Sequence, residues 1–350
     1  MKTNFARRTL EVTRIQSAKG QPARIFAPGR FALVFTLALV LAGICAGSTI
    51  TTVATGLSGP QALAVAGNGL YFVSVVGGSL SISTVGVGGG AVTTLYNGLV
   101  TGNGLAVIGN TLYLIDANSG PITDTQILAA PLAGGGPVVP IYTGSLVGQP
   151  IVDGNGITTD GTRLYTADEV QGRVDSLNPD GSALTQLGPN RYGGFFDTEH
   201  PNWITNDGGL LYVLDGGRSG VIAPQVVTIP TGGAAAFAPL WVGAPFSTPD
   251  AIAAANGLLY IADGSTIWSM PESGGMPTVF FSGGPLVNIG EGGLVFSNNS
   301  LFIADTGAGA IFQLSLSTAP EPSTISCLTI GISLIGFAIR KRNSNQRAEK

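Results

Sequence analysis

The residues with the clearest chemical potential in this sequence are polar side chains that recur at one position of a repeated unit. Each stands ten residues before a recurring aromatic residue: Gln61, Asn103, Asn155, Asn202 and Asp250. In the sixth unit this position is Gly292, with Glu291 one residue earlier. Clustered oxygen donors suit Ca²⁺, which takes about 6–8 oxygen ligands. The sequence therefore predicts a metal set of Asn155, Asn202, Asp250 and Glu291, or else side chains that only tie down loops.

A second group of candidates lies in the segment 188–203, which precedes the fourth aromatic. It combines aromatic side chains with charged and polar ones, material that suits contact with a sugar or a peptide. The predicted ligand-binding residues are Arg191, Tyr192, Phe195, Phe196, His200 and Trp203. The alternative is a surface loop that packs on itself.

Several chemistries are excluded by composition. The only cysteines, Cys45 and Cys327, lie in apolar runs near the two ends, so the residues between can form no disulfide and hold no cysteine nucleophile. His200 is the only histidine, which rules out a histidine-cluster metal site. A Ser-His-Asp triad is left open, but His200 has no nucleophile-elbow serine of the Gly-x-Ser-x-Gly kind to work with. No catalytic residue is predicted.

Charge is distributed unevenly along the chain. Residues 48–319 carry 4 arginines and 17 acidic residues, so their formal charge is 4 − 17 = −13, against −4 for the whole chain. A body this acidic repels phosphate backbones, and nucleic-acid binding is not expected. It attracts divalent cations and cationic partners instead.

The chain contains six copies of one unit. Each copy has an apolar strand, a Gly/Asn/Asp turn and a second strand centred on an aromatic: Tyr71, Tyr113, Tyr165, Tyr212, Tyr260 and Phe302. The steps between these aromatics are 42, 52, 47, 48 and 42 residues. Each step has room for four short strands, the size of one propeller blade. An aspartate three positions after five of the aromatics is expected to bond backbone N–H groups of a turn.

The strand count predicts how the ring closes. The sixth unit ends near residue 316 with only three strands, whereas residues 50–55 form a strand that belongs to no unit. We predict an all-β, six-bladed β-propeller over residues 48–317, closed by its N-terminal strand; an open β-solenoid would not need that strand. The unit resembles NHL-type and YWTD-type propeller repeats, with residues 301–311 the nearest stretch.

The ring of polar residues resembles the metal-binding ring of SMP-30/gluconolactonase-type propellers. In that family Ca²⁺ polarises a lactone or an ester, so the resemblance implies a Ca²⁺-dependent lactonase or esterase. Ca²⁺ is the one cofactor that the resemblance suggests. Only two of the six ring positions are carboxylates, a thin supply for catalysis.

The N-terminal segment 1–47 is typical of an export signal. A basic leader is followed by the apolar run 31–46 and then by small residues at Ala46, Gly47 and Ser48. We predict a cleaved signal peptide that forms a helix, with an uncleaved N-terminal anchor as the alternative.

The C-terminal segment has three parts in a fixed order. A linker over 318–324 contains Pro320, Glu321, Pro322 and Ser323, an apolar run over 325–339 is predicted to be a transmembrane helix, and the basic tail 340–350 follows. This order resembles the PEP-CTERM sorting signal of Gram-negative bacteria. The resemblance implies cutting by an exosortase, with the body transiently anchored outside the cytoplasm and then released to the cell surface or the extracellular matrix. A proline-rich linker before an ordinary tail anchor is the alternative.

Together these features favour a non-enzymatic binding or structural module that associates with exopolysaccharide or an envelope protein. A Ca²⁺-dependent lactonase or esterase is the alternative, and a matrix filler without ligand or metal is a third hypothesis.

Overall fold

The structure, a computed structural model, describes residues 49–117, 125–144, 151, 154–169, 171–188, 201–216, 223–234 and 237–316. These residues all belong to one compact unit that begins at Ser48. They form 24 strands in six four-stranded antiparallel sheets. The signal peptide, the residues of the Pro-Glu-Pro motif and the transmembrane helix predicted from the sequence lie outside the described residues.

Each sheet is one blade, and strands are numbered in chain order. Blade 1 comprises β2 (Gln61–Ala66), β3 (Gly69–Val76), β4 (Ser79–Gly86) and β5 (Thr93–Leu99). Blade 2 comprises β6 (Gly104–Ile108), β7 (Thr111–Ala117), β8 (Thr125–Pro131) and β9 (Val139–Gly144). Blade 3 comprises β10 (Gly154–Thr159), β11 (Leu164–Asp168), β12 (Arg173–Leu177) and β13 (Thr185–Gln186).

The second half of the ring repeats this order. Blade 4 comprises β14 (Pro201–Asp207), β15 (Leu210–Asp215), β16 (Gln225–Pro230) and β17 (Ala238–Val242). Blade 5 comprises β18 (Pro249–Ala255), β19 (Leu258–Asp263), β20 (Thr266–Pro271) and β21 (Thr278–Ser282). Blade 6 comprises β22 (Ile289–Ser297), β23 (Ser300–Asp305), β24 (Ala310–Ser315) and, from the start of the chain, β1 (Thr49–Thr55).

The ring is closed by β1. It pairs antiparallel with β24 from Thr49 opposite Ser315 to Thr55 opposite Ala310. The prediction of six blades closed by the N-terminal strand is confirmed, and the open solenoid is wrong. Closure gives the last blade its fourth strand, so β24 keeps no unpaired edge.

Apolar layers between neighbouring blades explain why one aromatic recurs in every unit. Each aromatic packs against the next blade around the ring, and all six are at most 9% exposed. Tyr165 of blade 3, for example, lies in one apolar layer with Ile204, Leu211 and Val213 of blade 4. Phe302 packs blade 6 onto blade 1 in the same way. Large side chains fill the wedge between twisted sheets, where burial of apolar area stabilises the ring.

The aspartates that follow the aromatics hold the loops leading into the innermost strands. In blades 2, 5 and 6 the carboxylate accepts a backbone N–H from that loop. The contacts are Thr101 to Asp116 at 2.6 Å, Ser247 to Asp263 at 2.7 Å and Val287 to Asp305 at 2.7 Å. Asp168 accepts the N–H of Gln171 in its own turn at 2.8 Å, and Asp215 accepts the side-chain amide of Gln225 at 3.0 Å. These carboxylates are therefore structural.

Within the described residues no helix is long and apolar enough to cross a membrane.

Candidate functional site

Three of the predicted metal ligands occupy the same special backbone position. Asn155, Asn202 and Asp250 are each the extra residue of a β-bulge near the start of the innermost strand of blades 3, 4 and 5. A bulge inserts one residue without a ladder partner and redirects its side chain. The recurring position therefore corresponds to a recurring backbone feature at one end of the channel. We call this end the ring mouth.

Hydrogen bonds link part of the ring mouth from blade to blade. Asn103 Nδ2 donates to Asn155 Oδ1 at 2.7 Å, and Asn155 Nδ2 donates to Glu169 Oε2 at 2.6 Å. Gln61 Nε2 donates to the Gly102 carbonyl at 3.1 Å. On the side of blades 1 to 3 the polar side chains thus connect neighbouring loops, as the structural alternative expected.

Asn202 behaves differently from the other amides. Its Oδ1 atom is buried and accepts no hydrogen bond from any residue that the structure describes. A buried carbonyl oxygen without a donor costs about 1–3 kcal/mol. Among the described residues, Asn202 Oδ1 is therefore an acceptor without a donor, and a cation or a ligand donor would satisfy it.

The carboxylates of the ring mouth influence one another. Burial raises the pKa of Asp250 to about 6, with further increases from the nearby Glu291 and Asp263 carboxylates. Partial desolvation by the surrounding protein raises the pKa of Glu291, and the Glu169 carboxylate raises it further. The residue as a whole is nevertheless exposed to solvent. Blades 3, 5 and 6 thus each bring one of these negative groups, Glu169, Asp250 and Glu291, to one opening, where they repel each other.

Glu169 was missed by the sequence analysis. It stands four residues after Tyr165, and the equivalent residues of the other units are valine, alanine, glycine, glycine and threonine. Glu169 is the only carboxylate among the six residues at this position, and that difference could have identified it from the sequence.

The fit to a divalent cation depends on more than carboxylates. Among the residues that the structure describes, no group of three or more His, Cys, Asp or Glu side chains is arranged to hold a metal ion. A cation here would need the amide oxygen of Asn202 beside Asp250 and Glu291, with water completing about 6–8 ligands. The observation in favour of such a donor set is that no described residue donates a hydrogen bond to the buried Asn202 Oδ1.

Below the ring mouth runs the central channel. It contains a cavity of about 250 Å³, lined by the innermost strands of all six blades. At the ring-mouth end the lining residues include Gly104, Gly156, Trp203 and Gly292. None of the ring's polar side chains lines this cavity, although Gly156, Trp203 and Gly292, which neighbour Asn155, Asn202 and Glu291 in sequence, do.

The second predicted site falls largely outside the described residues. This applies to Arg191, Tyr192, Phe195, Phe196 and His200. Trp203, placed in the same loop by the sequence analysis, lies in β14, is 5% exposed and packs in the apolar layer between blades 4 and 5. Trp203 also lines the central channel.

No family model matches the chain, and no curated protein matches it significantly in sequence. Solved structures do resemble it. The PQQ-bound aldose sugar dehydrogenase of Streptomyces coelicolor superposes with a TM-score of 0.55 and 18% identity, over 77% of this chain and 99% of that one. A gluconolactonase of Xanthomonas campestris gives a TM-score of 0.56 and 18% identity, over 79% of this chain and 92% of that one.

A third likeness is to a putative oxidoreductase (glucose dehydrogenase) from Thermus thermophilus, with a TM-score of 0.56 and 18% identity, over 77% of this chain and 100% of that one. At such identities a likeness shows the fold and carries no activity with it. Blade count, closure and these likenesses agree that the body of this chain is an all-β, six-bladed β-propeller.

Proposed function

We propose that this chain is an exported binding module whose ring mouth takes a divalent cation, Ca²⁺ first, and through it an oxygen-rich ligand such as a polysaccharide. One observation carries the proposal. Carboxylates from three blades meet at one opening, where Glu291 helps to raise the pKa of Asp250 and Glu169 that of Glu291. A cation would relieve their repulsion.

The donor set indicates a weak and exchangeable site. Asn202 Oδ1, Asp250 and Glu291 supply the protein oxygens, and water would supply the others. Sites of this kind in extracellular modules have dissociation constants of about 10⁻⁴–10⁻³ M. A cation that keeps water ligands can exchange them for the hydroxyl groups of a sugar, which is how the ring mouth would hold a glycan.

Calorimetry with Ca²⁺ tests the cation. We expect the intact protein to bind and Asp250→Asn to lose at least about tenfold in affinity, because one charged ligand becomes neutral. Asp180→Asn is the matched control: it removes the same charge from an exposed turn, where Asp180 accepts hydrogen bonds from Ser182. Absence of Ca²⁺ binding by the intact protein, or equal losses in both variants, contradicts the cation site.

A glycan array with and without Ca²⁺ tests the ligand. The proposal expects retention of bacterial exopolysaccharide fragments in Ca²⁺ and release by a chelator. If the glycan stays bound after a chelator has removed Ca²⁺, the glycan binds elsewhere on the body. Binding of neither metal nor glycan would favour the structural filler.

A Ca²⁺-dependent lactonase or esterase is the second candidate, favoured by the pKa of about 6 at Asp250. A carboxyl group that titrates near neutral pH suits general acid–base work. In this candidate Asn202 Oδ1 and Glu291 would hold the cation, which would polarise the carbonyl of a lactone. Asp250 would stay off the metal and would accept and return the proton of the attacking water. Turnover of a lactone panel by the intact protein, abolished by Asp250→Asn and unchanged by Asp180→Asn, would establish this candidate.

A further inference from the structure

The innermost strand of blade 6 departs from those of the other five blades. In blades 3, 4 and 5 one extra residue bulges from this strand. In β22 the ladder passes from Ile289, opposite Asp305, directly to Leu294, opposite Ile303. Four residues, 290–293, therefore lie where β23 has only Ala304. Their sequence is Gly-Glu-Gly-Gly.

The glycines of this bulge stand where no side chain fits. A Cβ at Gly292 would lie 2.9 Å from Trp203 Cζ3 and 3.3 Å from the Asn103 carbonyl oxygen, and its φ is +59°. A Cβ at Gly290 would lie 2.8 Å from the Pro60 carbonyl oxygen, and one at Gly293 would lie 2.8 Å from that of Ala304. Real Cβ atoms do not approach that closely, so the backbone here is packed to contact on several sides.

These contacts cross the opening. Gly292 belongs to blade 6, Trp203 to blade 4 and Asn103 to blade 2, so the bulge touches two blades that are not its neighbours. Trp203, which packs against the bulge at Gly292, is 5% exposed. The only side chain that the bulge carries is that of Glu291, and it is exposed.

We infer that residues 290–293 form a plug that closes the channel onto Trp203 and delivers Glu291 to the ring mouth. The contacts of Gly292 with Trp203 and Asn103 across the opening carry this inference, and the cavity lining, which includes Trp203 and Gly292 but none of the ring's polar side chains, agrees with it. The ring mouth is thus a shallow cup. It takes a small ligand or the end of a chain from outside and excludes a polymer threaded along the channel.

The plug also determines specificity, because it decides which carboxylates a ligand meets. The delivery of Glu291 to a cation rests on the proposed function, whereas the closure of the channel does not. Two measurements on the full chain keep these parts separate: titration with Tb³⁺, which takes oxygen ligands as Ca²⁺ does, and quenching of tryptophan emission by acrylamide.

Gly292→Ala places a methyl group against Trp203 and should displace the plug. We expect Tb³⁺ affinity to fall at least about tenfold and acrylamide quenching to rise as Trp203 becomes accessible. Gly257→Ala is the matched control, because Gly257 also has a positive φ, +74°, but nothing lies within 4 Å of its Cβ position. It should leave both quantities unchanged. Glu291→Gln should weaken Tb³⁺ binding and leave quenching unchanged.

If Gly292→Ala matches Gly257→Ala in both measurements, the plug is overturned while the cation site stands. If the unmodified protein binds no Tb³⁺, the proposed function fails and the plug is judged by quenching alone. Stronger acrylamide quenching in Gly292→Ala than in Gly257→Ala supports the plug, and equal quenching in the two variants overturns it. Should Gly292→Ala fail to fold, Trp203→Leu probes the same contact from below, and unchanged Tb³⁺ affinity in that variant overturns the inference.

Discussion

Arg173 and Asp175 stand two positions apart on β12, on the face of blade 3 that is turned towards Tyr142 of blade 2. The Asp175 side chain is fully buried, and Arg173 Nε donates to its Oδ2 at 2.7 Å, with a second contact between Nη2 and Oδ1. Burial raises the pKa of Asp175 to about 6; Arg173 opposes this rise and the Asp168 carboxylate adds to it. Since the ordinary pKa is 3.8, folded protein binds this proton more tightly than unfolded protein. The group therefore destabilises the fold as pH rises from about 4 to about 6.

Arg173→Met should destabilise the protein more at pH 8 than at pH 5. At pH 8 it leaves an unpaired buried carboxylate, which costs about 3–5 kcal/mol. At pH 5 Asp175 is mostly protonated, and only a hydrogen bond worth about 1 kcal/mol is lost. Chemical denaturation at the two pH values measures both. Arg163→Met is the control, since Arg163 bonds Asn178, Ser176 and the Ala183 carbonyl and should show no such pH difference. Equal losses of Arg173→Met at both pH values would contradict the electrostatic account.

The strand β1 is the fourth strand of blade 6 and closes the ring by pairing with β24. It covers the edge of β24, which would otherwise present unpaired N–H and C=O groups. Its register brings Thr51 opposite Gln313 and buries Val53 and Ala54 to 7% exposure. The contact joins residues 262 positions apart, so the stability of blade 6 depends on both ends of the folded body.

A disulfide across this closure should stabilise the protein. In a background with Cys45 and Cys327 changed to serine, Thr51→Cys with Gln313→Cys should cross-link spontaneously. It should add on the order of 2–4 kcal/mol to the free energy of unfolding. Electrophoresis without reductant and thermal melting with and without reductant measure this. Thr51→Cys with Ser315→Cys is two residues out of register, a separation of about 7–8 Å, and should cross-link poorly. Equal cross-linking of the two pairs would refute the observed register.

The two ends of the propeller lie side by side. Thr49 and Ser315 are ladder partners in blade 6, so the flanking segments attach to the body at adjacent points. Every strand of the six blades is complete before the Pro-Glu-Pro residues at 320–322 begin. Cutting at these residues would therefore remove no strand from the ring, which is what a released, still folded module requires.

Changing Pro320, Glu321 and Pro322 to alanine should leave the protein in the membrane fraction of a host that carries an exosortase. If these residues are the sorting motif that the sequence predicts, the change removes the protease's recognition site and leaves the propeller intact. Fractionation with immunoblotting measures retention. Ser317→Ala with Thr318→Ala alters the adjacent linker and should be released normally. Release of the triple-alanine protein at the normal level would argue against a sorting signal.

Local pattern alone was enough to predict the ring. The aromatic of each unit, its spacing and the unassigned strand near residue 50 follow from the repeat, because every blade must bury the same wedge-filling side chain and no blade can lack a fourth strand. The same counting identified Asn155, Asn202 and Asp250, since a repeated position returns to the same end of the channel.

Only the tertiary structure decided how that end is built. The structure shows that Asn155, Asn202 and Asp250 lie in β-bulges and that Glu169 lies beside them. It also shows that Gly292 of blade 6 packs against Trp203 of blade 4. Trp203 was predicted to lie in a ligand-binding loop, but it lies in β14 and is buried. Such contacts depend on strand register and on which blades meet across the opening. Both are set by packing between residues far apart in the chain, and no local periodicity encodes them.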